Sequence, residues 1–426
     1  MELHRHTTYS HPGSSFSQIL LWGCVIALCA YGVLFIYSTG YIADEYPVRP
    51  NWWRQLIWIS FSAVACFMVA SMNPKGLGWK MFVWGGYGAS MLMLVFVLAF
   101  GRVIGGARRW LDIGPVMLQP AEFANFFTLM ALCEAVVWQG KSWKWRLSKI
   151  LGISLMIIIP LGLILAEPSF GNAFSAVPPI FCIIGIRYFN KRLWGATVIF
   201  SLLCLFLAWG TVMMLRNNPE ILEEKSTVED KTFISRFFHS YHSRRLKSYL
   251  TPQGDWNERQ SVMTLASGGP FGKGYLQGTM KSLGYLPRTV APTDFIFSVI
   301  GEELGFFTGC LPVLFLYMVL FSIGFHWASH TADEQACLRC TGALMLLAIH
   351  VFVNVGMTVR LIPVIGLPLP LLSYGGSFTL MTFLCLGVLQ ASSHSEFYDT
   401  DDGDYAAATN EWSLGRLLRI RVKAHQ

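Results

Sequence analysis

An all-α polytopic membrane protein is the fold class this sequence predicts, with about ten transmembrane helices, and three observations predict it. Of the 426 residues, 54% are apolar and only 13% charged, and the mean hydropathy is +0.47, outside the range of soluble domains. Apolar runs of roughly 20 residues, the length that crosses a hydrocarbon core, recur along most of the chain. Lysine and arginine gather in some of the short connections between those runs and are scarce in others.

Taken in order, residues 1–16 form a polar N-terminal segment with no adjacent cleavage pattern, so the first span is expected to be retained. The apolar runs lie at 17–38, 54–72, 81–100, 119–138, 150–167, 172–188, 194–215, 294–325, 341–362 and 375–393. The fifth and sixth are interrupted by AEPSFGN, with Glu167, Pro168 and Gly171, and broken backbone at membrane depth requires cover from protein or water. The eighth, TDFIFSVIGEELGFFTGCLPVLFLYMVLFSIGFHW, reads as one continuous spanning helix. Residues 17–393 thus make one membrane domain, and residues 394–426 a C-terminal tail.

Between the seventh and eighth runs, residues 216–293 form a large polar loop, too long for a simple connector. KSWKWRLSK and RYFNKR are the basic short loops and are expected to be cytoplasmic. With an even number of spans both termini then fall inside, in agreement with Arg416, Arg419, Arg421 and Lys423, and the large loop is extracytoplasmic. The net charge of +7 is largely this topological bias, so it points to no nucleic-acid partner. Ten cysteines show neither metal-ligand spacing nor a disulfide framework.

Four stretches then fall on the extracytoplasmic face. In GARRWLDIGPVMLQPAEF, Arg108 and Arg109 suit phosphate oxygens, although snorkelling to lipid headgroups explains them equally well. Gln119 and Glu122 follow at the start of the fourth span, where a carboxylate in hydrocarbon needs a partner or a wet cavity. AEPSFGN offers Glu167 and Ser169, in a cavity or merely at a tight turn. SGGPFGKGYLQGT, near the end of the loop, lacks the strand and GK[ST] ending of a nucleotide loop; its glycines allow close backbone approach to a ligand or surface. Lys273 within it meets phosphate or stands solvated. Asp294, after Pro292 and Thr293, either caps the next helix or carries chemistry, and Glu302 and Glu303 place further acids on the same run. The fourth stretch, VNVGMTVRLIPVIGLPLPLLSYGGS, holds too many prolines and glycines to continue a helix and reads as an irregular lining segment. The inner halves of the spans offer little polarity beyond Glu134, His350 and Asn354.

GARRWLDIG followed by QPAE, then SGGPFGKGYLQGT, then LP and TDFIFSVIGEELGF, then GLPLPLLSYGGS resemble the SEDS family of bacterial peptidoglycan polymerases, in the family's order, across residues 101–393. The wording GKGYLQGT is closer to the rod-shape elongation branch than to the cell-division branch. The resemblance implies a ten-span fold with a central cavity, and an enzyme of the bacterial cytoplasmic membrane that polymerises lipid II, the undecaprenyl-pyrophosphate-linked disaccharide peptide. It implies a class B penicillin-binding protein as transpeptidase partner. It also places the family's essential aspartate on Asp294. Three departures stand out: RTVAP is longer than the family's usual linker between LP and TDF, Asn125 replaces a common lysine, and EPSFGN replaces QPDLGT.

On that reading Asp294 is the general base or the ligand of a divalent cation, magnesium or manganese, while Arg108, Arg109 and Lys273 clamp pyrophosphate and Gln119 and Glu122 line the substrate site. A lipid II flippase is the alternative, because broken helices and intramembrane acids suit transporters as well. Catalysis expects the essential polar groups beside Asp294; flipping expects a polar path through the full depth.

Overall fold

The computed structural model describes residues 15–41, 51–104, 107–114, 116–137, 143–188, 256–287, 289–331 and 333–393. The seventh predicted span, most of the large loop and both terminal segments lie outside the described residues. Among the described residues, nine stretches are long and apolar enough to cross a membrane. They contain α1 (Ser15–Gly40), α2 (Asn51–Ser71), α3 (Leu77–Phe100), α4 (Pro120–Val137), α5 (Trp143–Ala166) and α6 (Phe170–Tyr188). After the undescribed stretch come α7 (Trp256–Gly268), the single turn α8 (Thr279–Ser282), α9 (Ile296–Gly305), a π-helical turn (Phe306–Cys310), α10 (Leu311–His330), α11 (Glu334–Thr358) and α12 (Gly376–Ser393).

The three helices α4, α11 and α12 form the centre: 78%, 78% and 83% of their spanning windows are buried inside the protein, against 22% for α2 and α3 and 17% for α5. The peripheral helices accordingly turn leucine, isoleucine and phenylalanine outward, as hydrocarbon permits. Close packing uses small residues. A Cβ on Gly387 of α12 would lie 2.8 Å from the carbonyl oxygen of Cys66 on α2, and one on Gly376 would lie 2.1 Å from the Trp58 ring.

The bundle has two chemically distinct ends. At one, Glu134 of α4 accepts from Arg339 of α11 at 2.9 Å and from the indole of Trp79 at 2.9 Å, with the guanidinium 5.1 Å from the centre of that ring. Arg187 pairs with Glu334 at 3.2 Å at the same end. The other end carries Asp294 and is built by the C-termini of α1, α3, α5 and α11 and the N-termini of α4, α6, α10 and α12.

Two features depart from the helical pattern read off the sequence. Residues 102–118 fold as a small antiparallel meander, β1 (Arg102–Ile104), β2 (Ala107–Ile113) and β3 (Val116–Leu118), with Leu111 opposite Leu118 and Gly114 at φ +64° in the second turn. More consequentially, the run expected as one helix from residue 294 is broken at Gly305, where φ is +81°. The cause is contact: Phe306 and Phe307 donate their amides to the carbonyls of Gly269 and Pro270, so the glycine-rich loop occupies the break. α9 begins beside Asn354, one turn from the end of α11, and ends beside Ser38 at the end of α1. Both of its ends therefore lie at the Asp294 end of the bundle, and the crossing is made by the 20 residues of α10.

Candidate active site

Asp294 lies in the turns that precede α9, half-buried, with its amide on the Val290 carbonyl at 3.0 Å. The N-cap position of α9 is Phe295, and no side-chain cap bond is made there, so Asp294 does not hold the capping position that its place in the sequence suggested. Its main chain is fixed from two sides. Asn354 donates from Nδ2 to the Asp294 carbonyl at 2.9 Å and to the Leu367 carbonyl at 2.8 Å. Tyr374 donates its amide to the Pro292 carbonyl at 2.8 Å, and the Ser373 hydroxyl donates to the carbonyl of Thr293. Asn354 therefore belongs to the Asp294 end of α11, not to the inner half where the sequence placed it.

The segment 361–375 is the hub on which the predicted stretches converge. It holds Asp294 through Ser373 and Tyr374. Just beyond it, the amide of Gln119 donates to Ser377 Oγ at 3.3 Å. On a third side it touches the α5–α6 turn, where a Cβ on Gly171 would meet the Ile365 side chain at 2.6 Å. Gln55 of α2 locks it from behind, accepting from the Gly375 amide at 3.2 Å and donating to Thr379 Oγ1 at 3.0 Å.

Arg108 and Arg109 are adjacent on β2, so their side chains leave opposite faces of the strand. Arg108 is exposed and donates to the Leu98 and Ala99 carbonyls at 3.4 and 3.2 Å, at the C-terminus of α3, a position that suits a cation. Arg109 reaches the α5–α6 turn and donates to the main-chain carbonyls of Glu167 and Pro168. Beneath it the Glu167 carboxyl is fully buried with neither oxygen hydrogen-bonded. Burial pushes Glu167 up to about 9, which the Arg109 charge only partly offsets, so this carboxyl is protonated at neutral pH.

Glu122, in the first turn of α4, is 2% exposed and its Oε2 has no hydrogen-bond partner. One turn further, Asn125 donates to the Asn172 carbonyl at 2.8 Å and to Ser175 Oγ at 3.2 Å, and Asn172 donates to Ser169 Oγ at 3.1 Å. α4 and α6 are thus joined by a neutral amide–hydroxyl network at the positions where Asn125 and EPSFGN depart from the family's wording.

Lys273 is placed differently. Its ammonium is bonded to Glu302 at 2.7 Å, Ser267 Oγ at 2.8 Å and Thr279 Oγ1 at 2.6 Å. Lys281, which the sequence reading passed over, pairs with Glu303 and bonds the Ser38 carbonyl at 2.8 Å. The two acids are fully buried, and each lysine neutralises one of them. The glycines bring the loop onto α9: a Cβ on Gly272 would lie 2.3 Å from the Glu303 carbonyl oxygen. Among the described residues no three His, Cys, Asp or Glu side chains converge as metal ligands.

Comparison with known proteins follows the same lines. Residues 18–397 match the model of the FtsW, RodA and SpoVE family, described as cell cycle proteins. The chain is 28% identical to the peptidoglycan glycosyltransferase RodA of Treponema pallidum, covering 89% of this chain and 97% of that protein. It is 29% identical to the peptidoglycan glycosyltransferase MrdB of Escherichia coli K12, covering 86% and 90%. Among solved structures it resembles a chain from a peptidoglycan synthase complex that coordinates polymerization and crosslinking, with a TM-score of 0.63, 26% identity and coverage of 87% and 97%. It also resembles a mutant of the rod shape determining protein RodA of Thermus thermophilus, with a TM-score of 0.59, 25% identity and coverage of 89% and 98%.

Proposed function

This chain belongs to the family of cell cycle proteins that includes FtsW, RodA and SpoVE, and from that premise we propose that it polymerises lipid II with Asp294 as general base. It is a multi-pass membrane protein and a peptidoglycan glycosyltransferase of cell-wall elongation, the activity its relatives RodA and MrdB are named for. The observation that carries the residue assignment is the bracing of Asp294: a half-buried carboxylate whose own carbonyl and the two before it are each hydrogen-bonded to α11 or to the 361–375 segment. Such fixing of main chain pre-organises a reacting group.

In the proposed step the acceptor sugar hydroxyl attacks the anomeric carbon of the donor. The new glycosidic bond forms as the bond to pyrophosphate breaks, and the hydroxyl proton passes to Asp294. The leaving undecaprenyl pyrophosphate carries away the bonding pair, and a guanidinium on the same face offsets the charge that develops. Arg109 suits that task better than Arg108, since its strand face points to the turn beside the 361–375 hub. Glu122 and Gln119 line the α4 side. Lys273 contributes through the fold, by neutralising Glu302. No step is routed through a cation.

We place the Asp294 end outside and both termini in the cytoplasm, because Lys149 and Arg187, which flank the basic loops, lie at the opposite end. The resemblance to a complex that couples polymerization to crosslinking supports a class B penicillin-binding protein as partner. Of the polar groups that the sequence offered to a path through the bundle, Glu134 is engaged by Arg339 and Trp79 and His350 by the Leu346 carbonyl of its own helix, which favours polymerisation over flipping. The test is lipid II polymerisation by purified, partner-bound protein. Asp294→Ala and Asp294→Asn abolish polymer while the melting temperature is retained; polymer yield equal to the parent's overturns the assignment.

A further inference from the structure

We propose that Gln55 is a positioning residue that ties the lipid-facing helix α2 to the main chain just before Asp294. The proposal rests on the polymerase reading for its kinetic consequence, but its structural half stands on geometry alone.

Only 22% of the spanning window of α2 is buried, and its buried seam is narrow: Gln55, Ser62, Cys66 and Val69. That seam lies along α12. A glutamine in such a seam, 1% exposed, costs stability unless its amide is satisfied at both ends. Here it is. Oε1 accepts from the Gly375 amide at 3.2 Å, and Nε2 donates to Thr379 Oγ1 at 3.0 Å and to the Ser373 carbonyl at 3.4 Å. Gln55 thus grips residues 373–375 on one side while their other side holds Asp294's neighbours: the Ser373 hydroxyl donates to the Thr293 carbonyl and the Tyr374 amide to the Pro292 carbonyl. Ser373 is the shared link. Its hydroxyl also accepts from the Leu369 amide at 2.8 Å, which closes the loop it stands in.

A second observation fixes the approach of α2. Trp58, one turn beyond Gln55, packs against Gly376, where a Cβ would lie 2.1 Å from the indole. Only glycine allows α2 to come close enough for the Gln55 amide to span residues 373 to 379. A helix embedded in lipid on its other faces is therefore connected through two side chains, Gln55 and Ser373, to the carbonyl one residue before the proposed base. A shift of α2 along or away from α12 moves the Asp294 turn with it.

The experiment compares parent, Gln55→Leu, Gln55→Glu and Thr379→Val, each as the full chain bound to its transpeptidase. Polymerisation kinetics and hydrogen exchange of the 290–295 amides are both read. Gln55→Leu lowers kcat about tenfold with KM unchanged within about twofold, because two or three hydrogen bonds to the strap are lost while the substrate-contacting groups remain. Gln55→Glu keeps the acceptor for Gly375 and recovers part of that loss. Thr379→Val, which removes one of the two acceptors of Nε2 together with the hydroxyl's own bond to the Gly375 carbonyl, falls between. Exchange of the 290–295 amides rises in step with the loss of kcat, and exchange across α11 stays at the parent's level. If Gln55→Leu leaves both kcat and the 290–295 exchange unchanged, the coupling is overturned. It is overturned equally if exchange rises throughout the bundle, which marks general loosening. If parent protein makes no polymer at all, the polymerase reading fails and the exchange pattern alone decides the coupling.

Discussion

Asn354 donates a hydrogen bond from its side-chain amide to the main-chain carbonyl of Asp294 at 2.9 Å, and from the same nitrogen to Leu367 at 2.8 Å. One fully buried amide thereby holds the α9 turn and the 361–375 hub at a common distance from α11. Asn354→Leu removes both bonds and leaves two carbonyls without that partner, a loss of about 1–3 kcal/mol per orphaned group. The expected result is a lower melting temperature together with a fall in kcat larger than that of any surface substitution on α11. Thermal melts and lipid II polymerisation on the same preparation measure both; a melting change with kcat preserved would show that Asn354 supports the fold without setting the Asp294 turn.

The clasp between the glycine-rich loop and α9 is expected to show the asymmetry of buried ion pairs. Lys281→Met strands Glu303, fully buried, and costs about 3–5 kcal/mol. Lys281→Met combined with Glu303→Leu removes both charges and recovers much of that loss, since neither ion then pays its desolvation. The measurement is a double-mutant cycle on melting temperature; additive losses would mean that the two side chains do not share an ion pair.

Gly272→Ala and Gly305→Ala address the same clasp through the backbone. Both glycines have positive φ, +80° and +81°, and added Cβ atoms would lie 2.3 Å from the Glu303 carbonyl oxygen and the Gly272 nitrogen respectively. Strain from the left-handed conformation, roughly 1–2 kcal/mol, adds to a collision with backbone that cannot swing aside. Each variant is expected to accumulate poorly and melt lower than Gly269→Ala, where φ is also positive, +59°, but no neighbour lies within 4 Å. Yield and melting temperature of the three variants separate the steric contribution from the conformational one.

How far the sequence could be read follows from these same residues. Hydropathy located the described spans because apolar length is a local property. The break at Gly305 was hidden, because FFTGCLP continues the apolar run and only the loop packed against it shows why the helix must stop. Asn354 was misplaced because apolar residues continue past Thr358, although α11 ends there and the chain turns into the 361–375 hub. That hub was legible as irregular from Pro363, Gly366, Pro368 and Pro370, but its partners, Gln55 and Thr293, lie far away in sequence. β1 and β3 are three residues each and ARRWLDI in β2 does not alternate apolar with polar residues, so the opposed directions of Arg108 and Arg109 were not visible.

Glu167 gives a prediction in pH. Burial raises its carboxyl to about 9, whereas in the unfolded chain it titrates near about 4.3. Between those values the native protein holds a proton that the unfolded chain has released, so stability falls as pH rises through this window and levels off above it. Glu167→Gln removes the titration while keeping the shape. The variant is expected to match the parent near pH 4 and to melt a few degrees higher at pH 8. Melting curves across that range decide it; a variant that melts lower than the parent at pH 8 would mean that Glu167 is ionised and paired with Arg109.

The split between Arg108 and Arg109 separates two roles that the sequence offered to both. Arg108 donates to the carbonyls at the end of α3, an interaction worth a few tenths of a kcal/mol to about 1 kcal/mol in stability, and faces away from the α5–α6 turn. Arg109 stands over the α5–α6 turn, donating to its carbonyls above a protonated Glu167. A developing pyrophosphate charge on this side would be met by Arg109. Arg108→Gln is therefore expected to change kcat within about twofold, whereas Arg109→Gln lowers kcat/KM by roughly 10²–10³, the scale seen when one charge-stabilising donor is lost. Arg109→Lys keeps the charge but loses the fork that spans the Glu167 and Pro168 carbonyls, and is expected to recover only part of the activity. Steady-state polymerisation of the three variants, with Asp294→Asn as the inactive reference, measures it. Equal losses at Arg108 and Arg109 would return the pair to a shared clamp and would require β2 to turn both side chains to one ligand.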